Sequence, residues 1–274
     1  MTTDDAHGAH DGAGGSAAGG PAAGGTLPRL PENWERALAV AAHPDDIEYG
    51  TASAVARWTT QGKRVAYLLA TRGEAGIDGL HPDRAGPLRE AEERAGAREV
   101  GVDTVEFLDH RDGMIEEGPA LRRDIVRAIR RHRPEVVVTG AYTVRMVAGV
   151  VNQADHRVVG LAALDAARDA GNRWIFPELA DDGLEPWGGV RFVAVAGTDR
   201  PTHGVDVTGE PLERGIASLA AHAEYTKGLG AGAFEPRPFL TWAARQGGRA
   251  LGVEAAVLFD VHQLAFEGPP PWET

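Results

Sequence analysis

Short apolar runs alternate with amphipathic stretches along most of the chain, beginning near Arg36. This alternation is typical of βαβ units, which build a mainly parallel sheet flanked by helices. The apolar runs predict strands at 37–42, 64–70, 104–108, 135–139, 190–196 and 255–259. The stretches between them predict helices at roughly 49–61, 87–100, 119–132, 155–170 and 210–228. The repetition therefore predicts an α/β fold in a single domain.

The amino-terminal segment differs in composition from the rest of the chain. Residues 1–26 are mostly Gly and Ala with almost no large apolar side chain, so burial could not offset the entropy lost on ordering them. We therefore predict a disordered tail over 1–26 and one domain over 27–274. Pro and Gly are frequent at 177–205 and 228–237, which predicts loops at the mouth of a site or at a contact between subunits of a homo-oligomer.

Composition narrows the possible chemistry. The 274 residues include 28 basic and 40 acidic side chains, and the net charge of −12 argues against nucleic acid as a partner, because phosphate binding needs clustered Lys and Arg. No run approaches the ~20 apolar residues that span a bilayer, and the start lacks the pattern of a signal peptide. These features predict a cytoplasmic protein with no membrane contact.

Because the chain has no cysteine, any metal must be bound by His and carboxylate side chains.

The run AHPDDIEYG carries the first candidate chemistry. His43, Asp45 and Asp46 follow the first predicted strand directly, and functional groups in open parallel sheets gather at the carboxyl ends of strands. A His and an Asp three residues apart on a tight turn can both bind one cation, which leaves Asp45 at the open side of the metal as a base. The competing interpretation is a helix start, in which Pro and Asp are common. A dinucleotide site is disfavoured, since the turn lacks Gly-x-Gly-x-x-Gly.

A second run, NQADHRVVG, opens a helix after the fourth predicted strand. His156 lies at the start of this helix, near the carboxyl edge of the predicted sheet. There it could complete a three-ligand site with His43 and Asp46 and leave a coordination position for water and substrate. A lone His at a helix start is more often a surface or capping residue, but the pairing with HPDD favours the metal site.

These runs together resemble the PIG-L/LmbE-like de-N-acetylases, a family that includes deacetylases of the mycothiol and bacillithiol pathways. The resemblance extends over about 36–260 and includes TRGEAG, HRDGM and ADHR as well as HPDD. It implies a Rossmann-like α/β fold. It also implies one zinc ion per chain, with iron as the alternative, bound by His43, Asp46 and His156.

The resemblance implies the reaction as well. In this family the first Asp of HPDD is the general base, which here is Asp45. Glu74, Arg89 and Asp112 match family positions that orient the sugar or support the site. The implied activity is hydrolysis of the acetyl amide of an N-acetylglucosamine unit in a small glycoside or conjugate.

One residue departs from the family pattern. Many members have a second His three residues before the metal-binding His, where this chain has Gln153. Gln153 can donate a hydrogen bond to the oxyanion but cannot return a proton to the leaving amine. Either Asp45 then serves as both base and acid, or a contribution comes from Tyr142, His203 or His222. The departure keeps one alternative open, a non-catalytic metal- or sugar-binding member of the same fold.

Overall fold

A computed structural model describes residues 26–146, 149–230 and 235–265. The strands of the described residues form one seven-stranded sheet. They are β1 (Arg36–Ala41), β2 (Arg64–Leu69), β3 (Thr104–Phe107), β4 (Val136–Gly140), β5 (Phe192–Ala196), β6 (His203–Asp206) and β7 (Ala256–Gln263). The helices are α1 (Asp46–Gly50), α2 (Ala52–Thr60), α3 (Pro82–Glu99), α4 (Pro119–His132), α5 (Ala154–Asp169), α6 (Glu178–Asp181), α7 (Glu210–Ala220), α8 (Ala223–Gly228) and α9 (Pro236–Leu251).

The strand order is β3-β2-β1-β4-β5-β7-β6. The pairs among β1 to β5 are parallel, whereas β7 runs antiparallel to both β5 and β6. From β1 the chain continues through β2 and β3 towards one side of the sheet, while β4 and β5 lie on the other side. The boundary between β1 and β4 is therefore a topological switch point, where ligands bind in open α/β sheets. The predicted α/β fold with a mainly parallel sheet is confirmed.

Both faces of the sheet are covered by helices. In β1, Ala37 and Ala39 belong to one apolar core and Leu38 and Val40 to the other, because successive side chains of a strand point to opposite faces. Helices α2, α3 and α9 contribute to the first core, with α7 packed beside it, and α4 and α5 contribute to the second. The central strands β1, β4 and β5 are mostly apolar because both of their faces are buried.

Several predicted boundaries are wrong. Helix α3 begins at Pro82 rather than at Pro87, because His81 caps a start further upstream and accepts from the Asp83 amide at 3.4 Å. The single helix predicted over 210–228 is two helices, with His222 outside the helical region between them. Strand β6 and helix α9 were not predicted.

The ends of the chain are only partly described. Residues 1–25 of the predicted tail lie outside the described residues, as does part of the predicted loop at 228–237. From Leu27 onward the chain packs against the domain, with backbone hydrogen bonds from Leu27 to Ala250 and from Leu30 to Gly204. Across the described ranges, none of the helices is long and apolar enough to cross a membrane.

Candidate metal centre

The HPDD turn and the start of α5 meet at the switch point of the sheet. His43 and Asp46 follow β1 directly, and His156 lies in the first turn of α5, which follows β4. Strands β1 and β4 are parallel neighbours, so their carboxyl ends lie side by side. The two motifs are 113 residues apart in the sequence, yet His43 Nδ1 lies 3.3 Å from His156 Nε2.

The turn itself is held by its own carboxylate. Oδ2 of Asp46 accepts the backbone amides of Ala42 at 3.1 Å and His43 at 2.9 Å. These bonds cap the first amides after β1, while Oδ1 of Asp46 faces His156 Nε2 at 3.0 Å. Asp46 therefore fixes the turn with one oxygen and offers the other to the site.

Three donor atoms converge as a metal site requires. His43, Asp46 and His156 each offer one ligand atom, and these atoms lie within 4.8 Å of one another. The separations are 3.0 Å from Asp46 Oδ1 to His156 Nε2 and 3.3 Å from His43 Nδ1 to His156 Nε2. Tetrahedral zinc with bonds of about 2.0–2.2 Å needs neighbouring ligand atoms roughly 3.3 Å apart. The three residues therefore fit a divalent ion.

The other nitrogen of each imidazole is already engaged. His43 Nε2 lies 3.0 Å from Asp112 Oδ1 and 3.2 Å from Asp155 Oδ2. His156 Nδ1 lies 3.1 Å from the side-chain oxygen of Asn152. These acceptors favour N–H on the outer nitrogens, which leaves the lone pairs of His43 Nδ1 and His156 Nε2 available to a metal ion bound between the two rings.

His43, Asp112 and Asp155 form an alternative ligand set of the same size. In Asp155, however, both oxygens already accept backbone amides, from Gly113 at 2.7 Å and from Ile115 at 3.3 Å, whereas Asp46 uses only Oδ2 in this way. Carboxylates with these bonds support a His ligand from outside the metal site. The HPDD and ADHR set is therefore the better candidate, with Asp112 and Asp155 behind it.

The surrounding charge favours a cation. Burial lowers the pKa of His43, but Asp112, Asp155 and Asp46 outweigh burial and raise it to about 10. Burial raises the pKa of Asp46, but the adjacent His156 and His43 hold it well below its ordinary value. A position that attracts a proton this strongly also attracts a metal ion, which would replace the proton.

Asp45 is the buried carboxylate beside this cluster. Its Oδ1 is 3.1 Å from Arg89 Nη2, and the Tyr225 hydroxyl also bonds to its carboxylate. Burial raises the pKa of Asp45 to about 7, which Arg89 only partly opposes. Arg89 is itself buried, with its guanidinium over the Tyr225 ring and hydrogen bonds to the carbonyls of Pro44 and Gly73.

The other residues predicted for substrate binding brace neighbouring loops. Glu74 Oε1 accepts the amide of Asp112 at 2.9 Å, while Asp112 accepts the amide of Ala75. Gln153 is exposed at the N-cap of α5, where its side chain makes no capping hydrogen bond. Substrate contacts by Glu74, Arg89 and Asp112, and a catalytic role for Gln153, stay predictions.

The three residues considered as substitutes for the family His lie in different places. Tyr142 Oη is 3.3 Å from His262 Nε2, and His203 Nδ1 is 3.0 Å from Thr202 Oγ1 in the strand β6 region. His222 is fully buried, 3.8 Å from the carboxylates of both Glu48 and Glu93.

Sequence reasoning missed several supporting residues. Asp155 and Asn152 stand in the same run as His156, so their closeness in sequence was a usable signal. Glu93 bonds to the Asp45 amide from 48 positions away, and no local pattern indicates that contact.

Comparison with known proteins identifies close relatives. The family model PIG-L, described as GlcNAc-PI de-N-acetylase, matches residues 38–167. A diacetylchitobiose deacetylase of Thermococcus kodakarensis is 28% identical over 190 residues, 69% of each chain. A 1D-myo-inositol 2-acetamido-2-deoxy-alpha-D-glucopyranoside deacetylase of Rhodococcus erythropolis is 30% identical, covering 69% of this chain and 67% of the relative. Its counterpart in Kineococcus radiotolerans is 31% identical, but the match spans only 55% of that protein.

A solved structure supports the fold. N,N'-diacetylchitobiose deacetylase of Pyrococcus horikoshii superposes with a TM-score of 0.74 over 85% of each chain, at 22% identity. At that identity the likeness concerns the arrangement of strands and helices. It supports the α/β fold described above.

Proposed function

Because the chain belongs to the PIG-L family of de-N-acetylases, we propose that it hydrolyses the acetyl amide of an N-acetylglucosamine unit in a small glycoside or conjugate. The observation that carries the proposal is the convergence of His43, Asp46 and His156 beside the buried carboxylate of Asp45. Relatives named for deacetylation of chitobiose and of a glucosaminyl inositol support the same class of substrate.

The ligand set fits one divalent ion per chain, held by His43, Asp46 and His156. Zinc is proposed and iron is the alternative, since imidazole and carboxylate suit both. When bound, such an ion supplies Lewis acidity to a water molecule and to the amide carbonyl.

Asp45 moves the proton in this proposal. It accepts a proton as water adds to the carbonyl carbon, and burial, which raises the pKa of Asp45 above its ordinary value, makes it a stronger base. The C–N bond then breaks, and Asp45 returns the proton to the departing amine, because the side-chain amide of Gln153 is not acidic enough to supply one. The products are acetate and the free amino sugar.

The first measurement is metal content, on protein purified without added metal. About one zinc or iron per chain is expected, and His156→Ala should lose it.

Asp45→Asn should retain the metal, but its rate of amine release from N-acetylglucosaminides should fall by ~100-fold or more. Asp124→Asn is the control, because Asp124 pairs with His110 at 3.2 Å outside the metal centre. No metal after reconstitution, or full turnover by Asp45→Asn, would contradict the proposal.

Gln153 favours a second candidate, a metal- or sugar-binding protein without turnover. Gln153→His separates the two, since the exposed N-cap position can accept the larger ring. A working enzyme tuned around Gln should change kcat by less than about tenfold, whereas a positioned acid typically contributes about 10²–10⁴-fold. If the wild type is inactive and Gln153→His raises kcat by about 10²–10⁴-fold, the non-catalytic candidate is favoured.

A further inference from the structure

A cluster of buried ionisable side chains lies directly behind the turn that carries Asp45. Glu48 of α1, Glu93 of α3 and His222 between α7 and α8 are each at most 1% exposed. His222 Nε2 is 3.8 Å from Oε2 of both glutamates, and Ser218 donates to Glu48 Oε1 at 3.2 Å. We call Glu48, Glu93 and His222 the Glu–Glu–His cluster.

One hydrogen bond joins this cluster to the metal centre. Oε2 of Glu93 accepts the backbone amide of Asp45 at 3.1 Å. Asp45 precedes α1 as its N-cap, so its amide points away from the helix and needs a partner from outside it. Glu93 supplies that partner from the neighbouring helix.

The backbone of Asp45 is in an unfavourable conformation. Its φ of 96° lies in the left-handed region, which a residue with a side chain enters only at an energetic cost. Such a conformation persists only where the surroundings hold it. The contacts that hold Asp45 include the bond from its amide to Glu93 and the ion pair of its carboxylate with Arg89.

The fold alone does not explain why acidic side chains fill this space. Burying a carboxylate costs several kcal/mol, and apolar side chains of similar volume pack between helices without that cost. Both ring nitrogens of His222 also lack a hydrogen-bond partner among the described residues. Costly polar groups and strained backbone tend to occur together where a functional residue must be held in place.

We propose that Glu93, backed by Glu48 and His222, is a positioning residue for Asp45. Its bond to the amide keeps the turn left-handed and so keeps the Asp45 carboxylate against Arg89 and beside His43, Asp46 and His156. The inference rests on the proposed function, in which Asp45 is the general base. Without the bond the turn relaxes, and the carboxylate moves away from the reacting water.

Two substitutions separate the hydrogen bond from the packing. Glu93→Gln keeps an oxygen acceptor of the same shape, whereas Glu93→Met fills the volume without one. In metal-loaded protein, Glu93→Met should lower kcat for amine release by ~100-fold, the effect of about 1 Å of misplacement. KM and metal content should stay near wild type, and Glu93→Gln should restore most of kcat. Equal losses in both variants, or none in Glu93→Met, would overturn the proposal.

The matched control is Glu135→Met. Glu135 Oε2 accepts the backbone amides of Glu35 and Arg36 at 2.8 and 3.1 Å, which is the same kind of bond at the opposite edge of the sheet. This variant should lose stability but keep the wild-type kcat. If Glu93→Met does not fold, Glu93→Asp replaces it, because the shorter side chain withdraws the acceptor and should lower kcat.

A second readout does not depend on activity. Hydrogen exchange of the Asp45 amide, followed by NMR, should be slow in the wild type and in Glu93→Gln, and faster in Glu93→Met. This result would support the positioning role even if no N-acetylglucosaminide were hydrolysed, so failure of the proposed function and failure of this inference are distinguishable. Unchanged exchange in Glu93→Met would overturn the inference.

Discussion

The two nitrogens of His43 have different partners, and this difference determines what the residue can do. Nδ1 faces His156 and Asp46, while Nε2 lies between the carboxylates of Asp112 and Asp155. The carboxylates keep the proton on Nε2, so the lone pair of Nδ1 is directed at the metal position. In the proposed metal site, the ability of His43 to bind an ion therefore depends on Asp112 and Asp155, which are not proposed as ligands.

Asp155→Asn tests this dependence. Asn cannot accept bonds from His43 Nε2 and from the amides of Gly113 and Ile115 as a charged carboxylate does. We expect metal affinity to fall by about 10–100-fold, the usual effect of losing such a support. Competition with a chelator of known affinity measures it, with Asp124→Asn as the control. An affinity within about threefold of wild type would assign Asp155 a purely structural role.

At the scale of elements, α9 shows how glycine permits close packing. A Cβ placed on Gly247 would overlap the carbonyl oxygen of Ala256, and one on Gly248 would press against the carbonyls of Val253 and Glu254. The helix can therefore lie directly on the start of β7. This closeness explains two glycines in a helix, where each costs about 1 kcal/mol relative to Ala.

Gly247→Ala should therefore reverse the usual effect of the substitution. In a helix with free space the change stabilises, but here the methyl group must displace the Ala256 carbonyl, and overpacking costs about 1–3 kcal/mol. Urea unfolding should show a lower free energy of unfolding. Gly79→Ala is the control, since nothing lies within 4 Å of its Cβ position. A stabilised Gly247→Ala would show that α9 can move away from β7.

The fold and the candidate site could be predicted from the sequence only in part. HPDD and ADHR predicted that His43, Asp46 and His156 would come together, and their donor atoms do lie within 4.8 Å of one another. This was predictable because each motif is local and follows a strand that the apolar pattern reveals. Helix α9 was missed because Pro236, Pro238 and its glycines look like a loop until the packing against β7 is known. Strand β6 was missed because it has four residues and depends on pairing with β7. The bond from Glu93 to Asp45 joins distant helical and turn positions, which no spacing rule connects.

At the scale of the whole molecule, two ionisable clusters lie on either side of α1. The candidate metal centre of His43, Asp46 and His156 is at the carboxyl edge of the sheet. The Glu–Glu–His cluster is inside the domain, between α1, α3 and the junction of α7 with α8. The Glu–Glu–His cluster links the stability of the domain to pH, because the pKa values of its side chains differ between the folded and the unfolded chain.

The sign of this linkage differs between the members of the cluster. Burial, with Arg89 nearby, lowers the pKa of His222 to about 3, so below its ordinary value of 6.5 the unfolded chain takes up a proton that the folded chain refuses. This contribution to stability is lost as pH falls. Burial raises the pKa of Glu48 to about 8 and that of Glu93 well above its ordinary value, so their contribution is lost as pH rises above 4.5.

His222→Gln isolates the first contribution. Relative to this variant, the wild type should lose stability between pH 6.5 and pH 5, by at most about 1.4 kcal/mol per pH unit. Glu48 and Glu93 change the free energy of unfolding with pH in the opposite direction, but they do so in both proteins. The informative quantity is therefore the difference in the free energy of unfolding between the wild type and His222→Gln. Urea unfolding of both proteins at each pH, in the presence of chelator, measures it. A difference that does not change with pH would mean that His222 takes up a proton inside the fold, where Glu48 and Glu93 would share it.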